Sequence, residues 1–188
     1  MADGDVPTLP RVTRVMLDAG LVDARWYTEF AAERGSAVHK ACYLAAGGDL
    51  EESSLDPRIV GYVDAYNHFR SECNFRPQWR EYEVASRVWR YVGHLDLAGF
   101  LLPRNSVDRL AVIDIKTGSA GPQTGVQLAA YGRALIEQRQ LIGQPASRYA
   151  LELRGDGTYK LIEYTDPADW SVFMAALIVT QWRKAHGQ

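Results

Sequence analysis

The chain of 188 residues has only two cysteines, Cys42 and Cys73. That excludes a disulfide-stapled scaffold and a four-cysteine metal or iron–sulfur centre. Both thiols are expected to be reduced, buried and without a catalytic role. Long apolar runs are missing too: none approaches the roughly 18 to 20 residues of a membrane helix. The first residues, MADGDVPTLPRV, carry no apolar stretch behind a basic one, so no secretory signal is expected and the expected compartment is reducing and cytoplasmic. There is no excess of one charge sign, with 21 basic and 23 acidic residues giving a net charge of -2. A global basic character that would advertise nucleic-acid binding is therefore lacking. A local positive groove is not excluded, because carboxylates that hold metal ions cancel cations in the sum. Internal repeats and low-complexity tracts are also absent. What is present is ordinary for one globular domain: 47% hydrophobic and 23% charged residues, with enough chain to bury a core.

Periodicity divides the chain. Residues 1–27 are expected to form an N-terminal arm, with two prolines in its first ten residues and a short helix within 11–24 broken near Gly20. Residues 28–188 are expected to form a single domain. Thr28 is placed to cap a helix in which Phe30, Ala31, Val38, Ala41, Cys42 and Ala45 recur at helical spacing, ended by Gly47-Gly48. Asp56-Pro57 is an N-cap followed by a first-turn proline, opening a helix with Ile59, Val63, Tyr66 and Phe69 on one face. After Pro77 the period changes from 3.6 to 2. Strands are expected over 79–89, 91–102 and 109–117, then a loop over 118–125 and a helix over 126–142. Two further strands, 148–154 and 158–164, are joined by Gly155-Asp156-Gly157, a hairpin signal. Asp166-Pro167 opens a last helix through Trp182. This order predicts an α/β fold with a central mixed sheet flanked by helices.

The chemistry concentrates in the central strands. Side chains alternate along a strand, so Val112, Asp114 and Lys116 share one face while Ala111, Ile113 and Ile115 share the other. A carboxylate and an ammonium at a strand end are ordinarily just an ion pair. The preceding strand changes the reading: in Gly93-His94-Leu95-Asp96 a second acid interrupts an apolar segment, a costly placement unless it is paired or holds a metal. If the two strands are neighbours, Asp96 and Asp114 can converge as a hard oxygen site suited to Mg²⁺ or Mn²⁺, with Lys116 beside them.

The ordered set Gly93-x-x-Asp96, Asp114-x-Lys116 and Gln127-x-x-x-Tyr131, preceded by Arg34-Gly35-Ser36-Ala37-Val38-His39, resembles the PD-(D/E)xK nuclease superfamily. It is most similar to the RecB-like exonuclease branch, which includes CRISPR adaptation exonucleases, the mitochondrial genome maintenance exonuclease and phage exonucleases. The resemblance implies a restriction-endonuclease-like core and a metal-dependent DNA exonuclease. It implies Asp96, Asp114, the Ile115 carbonyl and His39 as metal ligands, Lys116 as the catalytic lysine, and Glu83 as an acid near the metal or ligand of a second one. Gln127 and Tyr131 would touch the DNA backbone or orient Lys116. Arg34, Lys40 and Thr117 would bind substrate. The implied cofactor is Mg²⁺ or Mn²⁺ without an iron–sulfur cluster, since the cluster-bearing branches need four cysteines. The implied partner is DNA, single-stranded or with free ends, in phage recombination, repair or DNA degradation in a bacterial or phage-infected cell. A homo-oligomer or a recombination partner protein is also compatible with the resemblance.

Other residues have narrower readings. His94 could assist or replace His39, Glu81 shares a face with Glu83, and His68 and His186 are expected at the surface. Trp26, Trp89 and Tyr91 are candidates for stacking on unpaired bases. Arg87, Arg90, Arg133 and Arg139 join Arg34 and Lys40 as a pool of possible phosphate contacts. Two alternatives to the exonuclease keep the same fold: a nuclease-like binding module without catalysis, and a structure-specific endonuclease with the same site.

Overall fold

The computed structural model describes residues 9–22, 29–101, 108–141, 143 and 145–187. Its helices are α1 (Val12–Asp18), α2 (Glu29–Gly47), α3 (Val60–Glu72), α4 (Pro122–Arg139) and α5 (Ala168–Ala185). The strands are β1 (Arg76–Ser86), β2 (Tyr91–Leu101), β3 (Arg109–Lys116), β4 (Ser147–Leu153) and β5 (Tyr159–Glu163). Strand order in the sheet follows the chain, β1-β2-β3-β4-β5. Every neighbouring pair is antiparallel except β3 and β4, which run parallel and are joined by α4. The mixed α/β architecture expected from the sequence is the one observed. The proposed cap Thr28 and the stacking candidate Trp26 lie outside the described residues.

Each face of the sheet has its own core. On one face α1, α4 and α5 supply Val12, Val15, Met16, Leu128, Leu135, Phe173 and Leu177. On the other, α2 and α3 supply Val38, Cys42, Val63, Tyr66 and Phe69. β3 serves both by strict alternation: Leu110 and Val112 enter the first core, and Ala111, Ile113 and Ile115 the second.

β1 and β2 do not alternate throughout. Trp79, Tyr82 and Val84 of β1 all meet the α4-side core, as do Leu95 and Ala98 of β2, whereas Leu97 belongs to the α2-side core. Both strands therefore change parity near the same level of the sheet, between Trp79 and Tyr82 and between Leu95 and Ala98. Two consecutive residues on each strand, Arg80-Glu81 and Asp96-Leu97, turn away from the α4-side core. Glu81 adopts φ 42°, a left-handed backbone uncommon for a residue with a side chain. Such bulge-like slips re-aim side chains.

Several element boundaries differ from those read in the sequence. α4 starts at Pro122 with Gly121 as its cap, because proline at the first helical position loses no hydrogen bond there. α3 starts only at Val60: the Asp56 carboxylate accepts the Arg58 amide at 2.9 Å and closes a turn before the helix. β1 starts three residues early, passing through Pro77 with a register shift, which an edge strand tolerates.

Within the stretch expected as an arm, Val12, Val15 and Met16 of α1 are 0 to 1% exposed and sit in the α4-side core, so α1 packs on the domain. A test follows from that burial. Met16→Ala should lower unfolding stability by about 2 to 5 kcal/mol in denaturant titration; a change within about 0.5 kcal/mol, as for a surface arm, would contradict it.

Candidate active site

β2 and β3 are laddered from Leu101–Arg109 to Leu97–Ile113 and then part. Past that last pair, side chains replace strand pairing for Ile115. Its amide donates to Asp96 Oδ2 at 2.7 Å, and its carbonyl accepts from His39 Nε2 at 3.0 Å. A carbonyl can only accept, so Nε2 carries a proton, and it is in the neutral ring that Nδ1 keeps a lone pair for a ligand. Nδ1 faces Asp96 Oδ1 at 3.5 Å and Glu81 Oε1 at 3.9 Å. The other Glu81 oxygen pairs with His94 Nε2 at 2.8 Å.

His39, Glu81 and Asp96 each offer a ligand atom, and these atoms all lie within 4.8 Å of one another. An imidazole nitrogen with two carboxylate oxygens is a donor set that fits a divalent first-row cation. A ligating histidine usually donates its other ring N–H to a carbonyl or carboxylate, as His39 does to Ile115. The electrostatics agree with the fit. Burial alone would lower the His39 pKa, but the Asp96 and Glu81 carboxylates, with Asp114 beyond, outweigh it and hold it at about 10. The cluster is short of positive charge, and a proton on His39 supplies some.

Asp114 stands beside this group, not within it. It is 3% exposed, with Lys116 Nζ 2.6 Å from its Oδ2, and Gln127 Nε2 donates to its Oδ1 at 3.2 Å. Burial first, then the nearby charge of Asp96, raises its pKa to about 6, against the opposing pull of Lys116. The Ile115 carbonyl, expected as a ligand, already accepts from His39 and keeps one lone pair free.

Several expected residues fall elsewhere. Glu83 is exposed and outside the cluster, which includes Glu81 of the same strand. The parity slip is the reason, since strict alternation gives no ground for choosing between the two acids. The one sequence clue was the spacing Trp79, Tyr82, Val84, which breaks period 2. Tyr131 is 2% exposed, so contact with a DNA backbone is closed to it. Its ring packs where a Cβ on Gly93 would fall 2.6 Å away, and its hydroxyl accepts from Gln127 at 3.0 Å. The glycine of Gly93-x-x-Asp96 thus makes room for the tyrosine of Gln127-x-x-x-Tyr131, which in turn steadies the Asp114 partner.

Around the cluster opens a cleft of about 620 Å³ lined by Gly35, Ser36, His39, Lys40, Tyr43, Arg80 and Glu81. Lys40 and Arg80 give its rim positive charge. Arg34 Nη2 donates to the carbonyl of Thr117, next to Lys116, at 3.3 Å. The stacking candidate Tyr91 is fully buried and donates to the Ala130 carbonyl, while Trp89 packs edge-on against Trp170. Arg133 and Arg139 lie over Trp170 and over Trp79 and Tyr82, away from the cleft lining. Cys42 is buried, which pushes its thiol pKa up, and neither cysteine lines the cleft.

No family model matches the chain. No curated protein matches it either. Among solved structures it is similar to the crystal structure of a protein from Eubacterium rectale provisionally named an exonuclease. The identity is 10% and the TM-score 0.52, over 96% of this chain and 82% of that one. At that identity the likeness shows the fold. Among the described residues, no helix is long and apolar enough to cross a membrane.

Two pH effects follow from the cluster. Asp114 is raised from 3.8 to about 6, so its favourable contribution in the metal-free protein is present below pH 3.8 and lost as pH rises through 6. His39 is raised from 6.5 to about 10, so its contribution is present below pH 6.5 and lost as pH rises through 10. In EDTA each contribution should be lost across its own window, read as the change in melting-temperature difference between the unaltered protein and the variant lacking the group. Asp114→Asn should flatten the lower one and His39→Gln the upper; unchanged profiles would refute the charge pattern.

Gly93→Ala should lower stability by about 1 to 3 kcal/mol by forcing Tyr131 aside. A denaturant midpoint equal to that of the unaltered protein would refute the close approach.

Proposed function

We propose that the protein is a divalent-metal-dependent DNA exonuclease with the PD-(D/E)xK arrangement of the RecB-like branch. The observation that most supports this is the meeting of His39, Glu81 and Asp96 at the point where β2 parts from β3, beside the buried Asp114–Lys116 pair. A carboxylate-rich cluster at an opened strand edge, with an ammonium alongside and a positive cleft in front, suits phosphodiester hydrolysis.

In this reading His39 Nδ1, Glu81 and Asp96 hold the ion, joined by Asp114 and the Ile115 carbonyl, and Glu81 takes the role first expected of Glu83. Bound Mg²⁺ or Mn²⁺ supplies Lewis acidity to a phosphate oxygen and lowers the pKa of water. The imidazole donor favours Mn²⁺, while the carboxylates accept either ion. Lys116 brings a fixed positive charge to the phosphate and donors that orient the attacking water. Asp114 keeps that ammonium in place, and Gln127, braced by Tyr131, keeps Asp114 in place. Lys40 and Arg80 draw the phosphate backbone into the cleft. Arg34 and Thr117 close the side next to Lys116.

The reading is tested on end-labelled linear single- and double-stranded DNA and on closed circles. Nucleotides should be released from linear DNA with Mn²⁺ or Mg²⁺ and not in EDTA, and closed circles should stay intact. Asp114→Ala and Lys116→Ala should each lower the rate about 100-fold or more. Mn²⁺ should raise the melting temperature of the unaltered protein by mass action, and much less so in Asp96→Asn. Equal hydrolysis in EDTA, or full activity in both alanine variants, would sink the assignment.

A further inference from the structure

A second cavity, of about 350 Å³, lies between α2 and α3 and is lined in part by Phe30, Glu33, Arg34, Asp56, Arg58 and Tyr62. Its size is within the range of small-ligand sites. We propose that it receives an unpaired nucleobase adjoining the phosphate held in the main cleft, making single-stranded DNA the preferred substrate. The proposal rests on the nuclease reading above and deepens it.

Three features carry it. The first is aromatic surface. Phe30 is 59% exposed in the first turn of α2, and Tyr62 faces the same space from α3. The Arg34 guanidinium carbon lies 5.9 Å from the Phe30 ring centroid and 5.7 Å from that of Tyr62. Two rings and a planar cation offer a base several faces on which to stack.

The second is charge. Arg34 and Arg58 are matched by Glu33 and Asp56, and Asp56 already pairs with Arg58 through both of its oxygens. This space is close to neutral and carries both donors and acceptors. A phosphate gains little here, whereas an uncharged heterocycle with mixed hydrogen-bonding edges suits it. Within the wall, Arg34 Nε is buried without a hydrogen-bond partner, and so lacks an acceptor.

The third is position. Arg34 ties this cavity to the Thr117 carbonyl, adjacent to Lys116, and α2 separates the two spaces, carrying Gly35, Ser36 and His39 towards one and Phe30, Glu33 and Ala37 towards the other. A base of a strand whose phosphate lies beside Lys116 would have to be unpaired to enter a cavity of this size.

The experiment measures binding by fluorescence anisotropy in EDTA, where hydrolysis is off. The probes are a labelled single-stranded oligonucleotide and one of equal length carrying abasic sites. The unaltered protein should bind the base-bearing strand about 10-fold more tightly. Phe30→Ala, an exposed position that should fold normally, should remove most of that preference and leave abasic binding unchanged. Phe30→Trp should restore it. Equal affinity for the two probes, equal loss on both in Phe30→Ala, or no binding at all overturns the proposal. Base preference without metal-dependent hydrolysis upholds the cavity and overturns the catalytic reading alone. Hydrolysis without base preference does the reverse.

Discussion

The candidate site depends on a break in strand pairing. Where β2 leaves β3, the backbone groups of Ile115 must find partners, because buried amides and carbonyls left unpaired are costly. Asp96 takes one and His39 the other. Two side chains from different elements are thereby fixed on one peptide group, and their remaining polar atoms turn towards each other. The same break leaves the end of β3 open beside Lys116, which stays paired with Asp114. A fully laddered sheet would bury these groups in pairing.

The cost of assembling so many acids is met locally. Asp114 is shielded by Lys116 and Gln127, Glu81 by His94, and Asp96 by an amide. The arrangement is tolerable without an ion but has unspent negative charge, which His39 answers by holding its proton far above the usual imidazole range. A bound cation would answer the same deficit, in keeping with the proposed metal site. Tyr131 and Gly93 contribute at one remove, by geometry alone.

Much of this was legible in the sequence. The change of period after Pro77, the alternation in β3 and the hairpin at Gly155-Asp156-Gly157 gave the mixed sheet. The spacing of Gly93, Asp96, Asp114, Lys116, Gln127 and Tyr131 gave one region of chemistry. The parity slip was weakly marked, because β2 is apolar on both faces past Asp96 and only the spacing Trp79, Tyr82, Val84 on β1 breaks period 2; alternation alone leaves Glu81 and Glu83 equivalent. The core role of α1 had a signal, Val12, Val15 and Met16 at helical spacing, which two early prolines obscured. The cavity between α2 and α3 had none, since it requires knowing how two helices pack.

Glu81 carries one more implication, through its left-handed backbone. A residue with a Cβ at φ 42° is strained, whereas glycine there would relax the chain. Chain comfort and carboxylate placement are in opposition at this position. Selection for heat tolerance alone would drift towards a sturdier molecule without the carboxylate that the proposed site requires.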